Sequence, residues 1–127
     1  MNTINRRTFV AGTAGLMAGT LIKPVWANAN DTVNVAVMGI HSRGSALASG
    51  FAKLPNVNVA TICDIDENLL PEAVANVEKA CGKRAKTETD IRRVLDNKDI
   101  DAIVVAAPNH WHALATIWGC QAGKDVY

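Results

Sequence analysis

Gly39-Ile40-His41-Ser42-Arg43-Gly44 has the residue types and spacing to hold a phosphate group. The six residues follow an apolar run, Val33 to Met38, and precede a stretch able to form a helix. A glycine at position 39 permits a tight turn, and one at 44 lets the helix pack close to the strand. The helix start would present free N–H groups and a positive dipole end to an anion. His41 departs from the G-x-G-x-x-G pattern where the backbone comes closest to a pyrophosphate. Its side chain must point away or touch the phosphate itself. A strand, turn and helix with two glycines is also a common structural unit, so the loop alone fits an ordinary turn equally well.

Asp64 adds weight to the phosphate reading. It ends a second apolar run about twenty residues past Gly44, where an acid takes the hydroxyls of an adenosine ribose. The next charged residues are Asp66 and Glu67, not bases, and would repel a 2′-phosphate; this favours NAD over NADP as cofactor. A turn or cap role is the alternative for Asp64, and Asp66 reads as a turn residue. A second group of candidates, Ala107-Pro108-Asn109-His110-Trp111-His112, follows a later apolar run. His110 and His112 lack a carboxylate or thiolate neighbour and a shared helical face, so no metal site is expected.

The elements that position these residues alternate in type. Val33 to Met38, Val57 to Cys63 and Asp101 to Ala107 are apolar and suit strands buried on both faces. Ser42 is placed to cap a helix running to Leu54, with Leu47, Phe51 and Leu54 on one face. Pro71 suits the first turn of a helix ending near Gly82, with Leu70, Val74, Val77 and Cys81 as its apolar stripe. A short helix follows Thr89 or Asp90, either of which can cap it. The stretch from His110 is a helix closed by Gly123, and Asp125-Val126-Tyr127 begins another strand. This alternation predicts an α/β fold: a Rossmann-type parallel sheet with helices on both faces. Ligands of such sheets bind beyond the carboxyl ends of the strands, which is where the candidate residues fall.

Residues 1–29 read as an address rather than as fold. Arg6-Arg7, then Thr8-Phe9, then a moderately apolar run to Ile22 lead to Ala27-Asn28-Ala29, an A-x-A cleavage pattern. The pair of arginines has the form of a twin-arginine signal. The apolar run is shorter than the ~20 residues that span a bilayer. The expectation is a cleaved signal, the twin-arginine export machinery as partner, a periplasmic location, and a dinucleotide-binding domain over 30–127. An uncleaved membrane anchor is the alternative. Twin-arginine export carries folded proteins, so a cofactor can be loaded in the cytoplasm and retained. All twelve acids and ten of the thirteen bases lie beyond residue 30, a balance that gives no reason to expect a nucleic-acid partner. Cys63, Cys81 and Cys120 have no metal-type spacing and read as small buried hydrophobes, with a disulfide as the alternative.

The segments "RGSALA", "CDID" and above all "AAPNHWHALATIWGCQAGKDVY" resemble the N-terminal domain of the Gfo/Idh/MocA oxidoreductases, the family of glucose-fructose oxidoreductase and inositol dehydrogenase. The resemblance covers Val33 to Tyr127. It implies that Gly39, Ser42, Arg43 and Gly44 line the pyrophosphate, with His41 leaving its path open. It implies that Asp64 holds the adenosine ribose and that Ala107, Pro108, Asn109 and His112 lie along the nicotinamide end. Trp111 would flank the cofactor or simply pack. The family's substrates are sugars or polyols. In it the strand begun at Asp125 continues into a Glu-Lys-Pro motif whose lysine is commonly the catalytic group, and a second domain forms the substrate pocket. Neither is within this sequence, so no catalytic residue is assigned, and the expected Rossmann domain is truncated at its C-terminal side. Three functions are compatible: a sugar or polyol oxidoreductase, a glycosidase of the same fold using transient oxidation by bound NAD, or a non-catalytic nucleotide-binding fragment.

Overall fold

The computed structural model describes residues 32–127, and the expected export signal lies outside them. Strands and helices alternate: β1 (Val33–Met38), α1 (Arg43–Ala52), β2 (Val57–Cys63), α2 (Leu70–Cys81), β3 (Lys86–Glu88), α3 (Ile91–Asp96), β4 (Ala102–Val105), α4 (Asn109–Gln121) and β5 (Asp125–Val126). The strands form one parallel sheet in the order β3-β2-β1-β4-β5. The chain leaves β1 toward β2 on one side and returns to its other side with β4. Loops after β1 and β4 therefore diverge, and a crevice opens at the carboxyl ends of the strands. This is the Rossmann-type α/β arrangement that the alternation predicts.

The central strands are mostly apolar because helices cover both faces, with Asn34 and Asn58 as a hydrogen-bonded pair near their starts. Val35, Val37 and Val104 face one core with Ala48 and Ala52 of α1 and Val74 and Val77 of α2. Ala36 and Ile103 face a second core with Ile91, Val94 and Leu95 of α3, joined by Trp118 of α4. Each fully buried Val, Ile or Leu contributes about 1.5–3 kcal/mol. In β2 the register slips by one residue opposite Val35 and Ala36, so Ala60 is an extra residue. That bulge turns Val59 and Ile62, three apart, to the same core.

The ends of the elements follow local chemistry. Pro71 lies in the first turn of α2, and Gly82 closes it at φ 73, donating to the Glu78 carbonyl at 2.7 Å. Asp90, not Thr89, caps α3 by accepting from the Arg92 N–H at 2.9 Å. Several expectations need correction, and one strand is unexpected. Ser42 stands at the N-cap of α1 without a side-chain cap bond, and α1 stops at Ala52, leaving Leu54 half exposed. The strand expected over Asp101 to Ala107 is only Ala102–Val105. The short, polar β3 is not anticipated by any apolar pattern. Of the cysteines only Cys63 is buried; Cys81 is half-buried and Cys120 exposed, all three as free thiols. Cys120 is exposed because the only buried residues of α4 are Ala115 and Gly119. Among the described residues no helix is long and apolar enough to cross a membrane.

Candidate functional site

The loop after β1 is locked by backbone contact. Gly39 has φ 80, and a Cβ there would stand 2.7 Å from both the Cα and the N of Ala107. A Cβ on Gly44 would stand 1.7 Å from the Gly39 carbonyl oxygen. The β1 turn, the α1 start and the end of β4 thus meet with no room for a side chain. The Gly39 N–H donates to the Cys63 carbonyl at 2.9 Å. Ile40 buries its side chain in the core and donates its N–H to Oδ2 of Asp64 at 2.8 Å. His41, Ser42 and Arg43 are exposed on the loop, with Gly44 buried beneath. Positive φ falls at Gly39 and at Ser42 (φ 50), not at His41. An imidazole therefore fits where the pattern has glycine, pointing into solvent. The first turn of α1 carries no acidic residue, so its dipole end is unopposed.

Asp64 joins this loop to the end of β2. Its Oδ1 accepts from the Asp66 N–H at 3.0 Å, and its own N–H donates to the Glu88 carbonyl at 3.1 Å. Asp64 is therefore a turn former as well as a candidate ligand. Each carboxylate oxygen keeps a lone pair that a sugar hydroxyl can use. Asp64 also lines a cavity of about 530 Å³, within the range of small-molecule sites. Gly39, Ala107 and Pro108 line the same cavity. Beside Asp64 the Cys63 thiol is pushed up to about 12, first by burial and then by Asp64, Glu88 and Asp90. It stays protonated and adds no charge to the cavity.

The loop after β4 is shaped by side chains. Pro108 is the N-cap of α4, and its carbonyl accepts from the Trp111 N–H at 2.9 Å. His112 Nε2 lies 2.7 Å from the Ala107 carbonyl oxygen. A carbonyl only accepts, so Nε2 carries a proton and donates it. Asn109 opens α4 and is exposed. The His110 ring leans on Trp111 at 6.1 Å. Trp111 and Trp118 both line the cavity.

The cavity has a further wall that sequence reasoning missed: Ile65 after β2, and Thr89, Asp90, Ile91 and Arg92 after β3. A signal was available only for Ile65, the residue next to the assigned acid. Asp90 is held down to about 2, first by the Arg92 side chain and then by the Arg92 N–H. A glycine-locked turn and an acid at the end of β2 border one cavity, and the helix start that follows the turn, outside the cavity's lining, is unopposed; the three together fit a dinucleotide. Among the described residues no cluster of three or more His, Cys, Asp or Glu could hold a metal ion.

Comparison with known proteins agrees. The family model GFO_IDH_MocA, described as an oxidoreductase family with an NAD-binding Rossmann fold, matches residues 6–127. The chain belongs to the Gfo/Idh/MocA oxidoreductase family. A glycosyl hydrolase family 109 protein of Stenotrophomonas maltophilia is 33% identical over 134 residues, covering 99% of this chain and 29% of that protein. An alpha-N-acetylgalactosaminidase of Shewanella oneidensis is 26% identical over 155 residues, covering 100% of this chain and 33% of that protein. Among solved structures, myo-inositol 2-dehydrogenase of Lactobacillus plantarum is similar at TM-score 0.65 and 28% identity, covering 75% of this chain and 27% of that one. The fold is also that of scyllo-inositol dehydrogenase of Lactobacillus casei, solved with NAD(H) and scyllo-inositol, at TM-score 0.60 and 22% identity, covering 75% of this chain and 27% of that one. This Gfo/Idh/MocA chain spans about a third of the length of these curated relatives (29% and 33%).

Proposed function

We propose that this NAD-binding domain serves an exported enzyme acting on sugars, and that the protein works on glycosides with a retained cofactor. The observation that carries the reading is Asp64. One carboxylate grips the glycine loop through Ile40 and borders the cavity at the strand ends. In this reading Gly39, His41, Ser42, Arg43 and Gly44 border the pyrophosphate, and Asp64 accepts from the adenosine ribose. Asp66 and Glu67, both exposed, disfavour a 2′-phosphate, so NAD is the cofactor. Ala107, Pro108, Asn109 and His112 border the nicotinamide end. His112 does so by holding the Ala107 carbonyl in place. When bound, the dinucleotide would supply reversible oxidation of a sugar carbon.

The glycoside reading draws on the Stenotrophomonas and Shewanella relatives, whose names are those of glycoside-cleaving enzymes. A second reading, net oxidation of a polyol, draws on the likeness to myo-inositol 2-dehydrogenase. Export draws on Arg6-Arg7 and Ala27-Asn28-Ala29, and a periplasm without a free nicotinamide pool favours a cofactor loaded before export.

Two assays on the protein purified from its own source test this. Once the retained cofactor is stripped, quenching of Trp111 and Trp118 by added NAD, and not by S-adenosylmethionine, is the expected sign of the cofactor. Release of nitrophenol from a nitrophenyl N-acetyl-α-galactosaminide, without accumulating reduced nicotinamide, is the expected sign of glycoside cleavage. Stoichiometric reduced nicotinamide from a free polyol would favour the second reading instead.

A further inference from the structure

Arg92 combines two properties that seldom occur together. Its side chain is 72% exposed, yet it is held still. Its Nε lies 3.0 and 3.1 Å from the two Asp90 oxygens, and its Nη2 lies 2.6 Å from Oδ2. Asp90 is itself fixed, because Oδ1 also accepts the Arg92 backbone N–H at 2.9 Å. Capping of α3 and a surface ion pair account for Asp90. Neither explains why Arg92 lines the cavity.

The geometry points to a role that rests on the dinucleotide reading above: Arg92 is the flat wall on which the adenine ring stacks, and Asp90 is the residue that positions it. A guanidinium tied along one edge keeps both planar faces free, and such planes stack on aromatic rings. The placement is also right. Arg92 follows β3, the neighbour of β2, and the Asp64 N–H to Glu88 carbonyl bond at 3.1 Å ties the two loops together. A base attached to a ribose held by Asp64 would lie on this side, away from the glycine loop. Ile65, 87% exposed right after Asp64, and the buried Ile91 line the same cavity and supply apolar contact to a purine. Asp90 neutralises the guanidinium, so the wall selects a ring rather than a further phosphate. Presetting the side chain removes the entropy cost of ordering it when the nucleotide binds.

Calorimetric titration of ADP-ribose into protein first stripped of retained NAD tests the pair, with thermal unfolding to confirm that each stripped variant folds. Arg92→Met is expected to weaken ADP-ribose about tenfold, the size of one base-stacking contact. Arg92→Lys is expected to be weakened as much, because an ammonium has no plane. Asp90→Asn is expected to lose about threefold through the loosened side chain. Wild-type binding with Arg92→Met within twofold overturns the stacking role and leaves the dinucleotide reading standing. Full affinity in Arg92→Lys also overturns it, since the residue would then be a point charge. Full affinity in Asp90→Asn overturns the positioning role of Asp90. If folded wild-type protein does not bind ADP-ribose at all, the dinucleotide reading itself fails, and this inference with it.

Discussion

The loops after β1 and β4 border one crevice but are built by opposite means. The first is shaped by the absence of side chains: Gly39 and Gly44 let three backbone segments touch. The second is shaped by their presence: Pro108 starts α4, and His112 reaches back to the Ala107 carbonyl. The difference explains how the family pattern tolerates a departure. In the first loop the constrained positions are the glycines in backbone contact and the buried Ile40, so exposed His41 can replace a glycine and face solvent. In the second loop the side chains are the structure. The two meet at Ala107, whose N and Cα limit Gly39 and whose carbonyl receives His112.

Substitution should separate the two designs. Gly44→Ala forces a Cβ into the Gly39 carbonyl and is expected to cost about 3 kcal/mol in chemical denaturation, at the upper end of overpacking effects. Gly39→Ala meets the Ala107 backbone at a positive φ and should cost about 2 kcal/mol. A loss below 1 kcal/mol in either would contradict a backbone-locked loop. His112→Ala removes one hydrogen bond and should cost about 1 kcal/mol. If it cost more than Gly44→Ala, the contrast between the loops would be reversed.

Cys63 sharpens the comparison from the neighbouring end of β2, where its carbonyl accepts from the Gly39 N–H. Its thiol has a folded value raised from 9.0 to about 12. A raised value contributes stability that is whole below pH 9 and is lost as pH rises toward 12. Denaturation midpoints are expected to fall across that window in the wild type and to fall less in Cys63→Ala. At neutral pH a thiol reagent should label exposed Cys120 first and leave Cys63 unmodified until the protein unfolds. Early labelling of Cys63 would mean that the crevice opens.

How much was legible depends on what specifies each element. β1 and β2 could be read to the residue because an apolar run is bounded at each end. α2 was marked by Pro71 and Gly82, whose backbone geometry suits a first turn and a left-handed close. β3 was not legible. Lys86-Thr87-Glu88 are polar, and only pairing with Thr61 to Cys63 makes them a strand. Missing β3 hid the wall it leads into, Thr89 to Arg92. Ser42 has the residue type of a cap, but its φ of 50 differs from the extended backbone of an ordinary N-cap. A turn role and a ligand role for Asp64 are alternatives in the sequence. In the fold its two oxygens form the turn and tie the glycine loop while the residue borders the cavity.

Titration of NAD and NADP into wild-type and Asp64→Ala protein, each first stripped of retained cofactor, tests the central claim most directly. The account predicts that NAD binds the wild type and that Asp64→Ala, still folded, binds it at least about tenfold more weakly, the loss of one hydrogen bond to a charged group. It also predicts that NADP binds the wild type more weakly than NAD. A folded Asp64→Ala protein with unchanged NAD affinity would contradict the account.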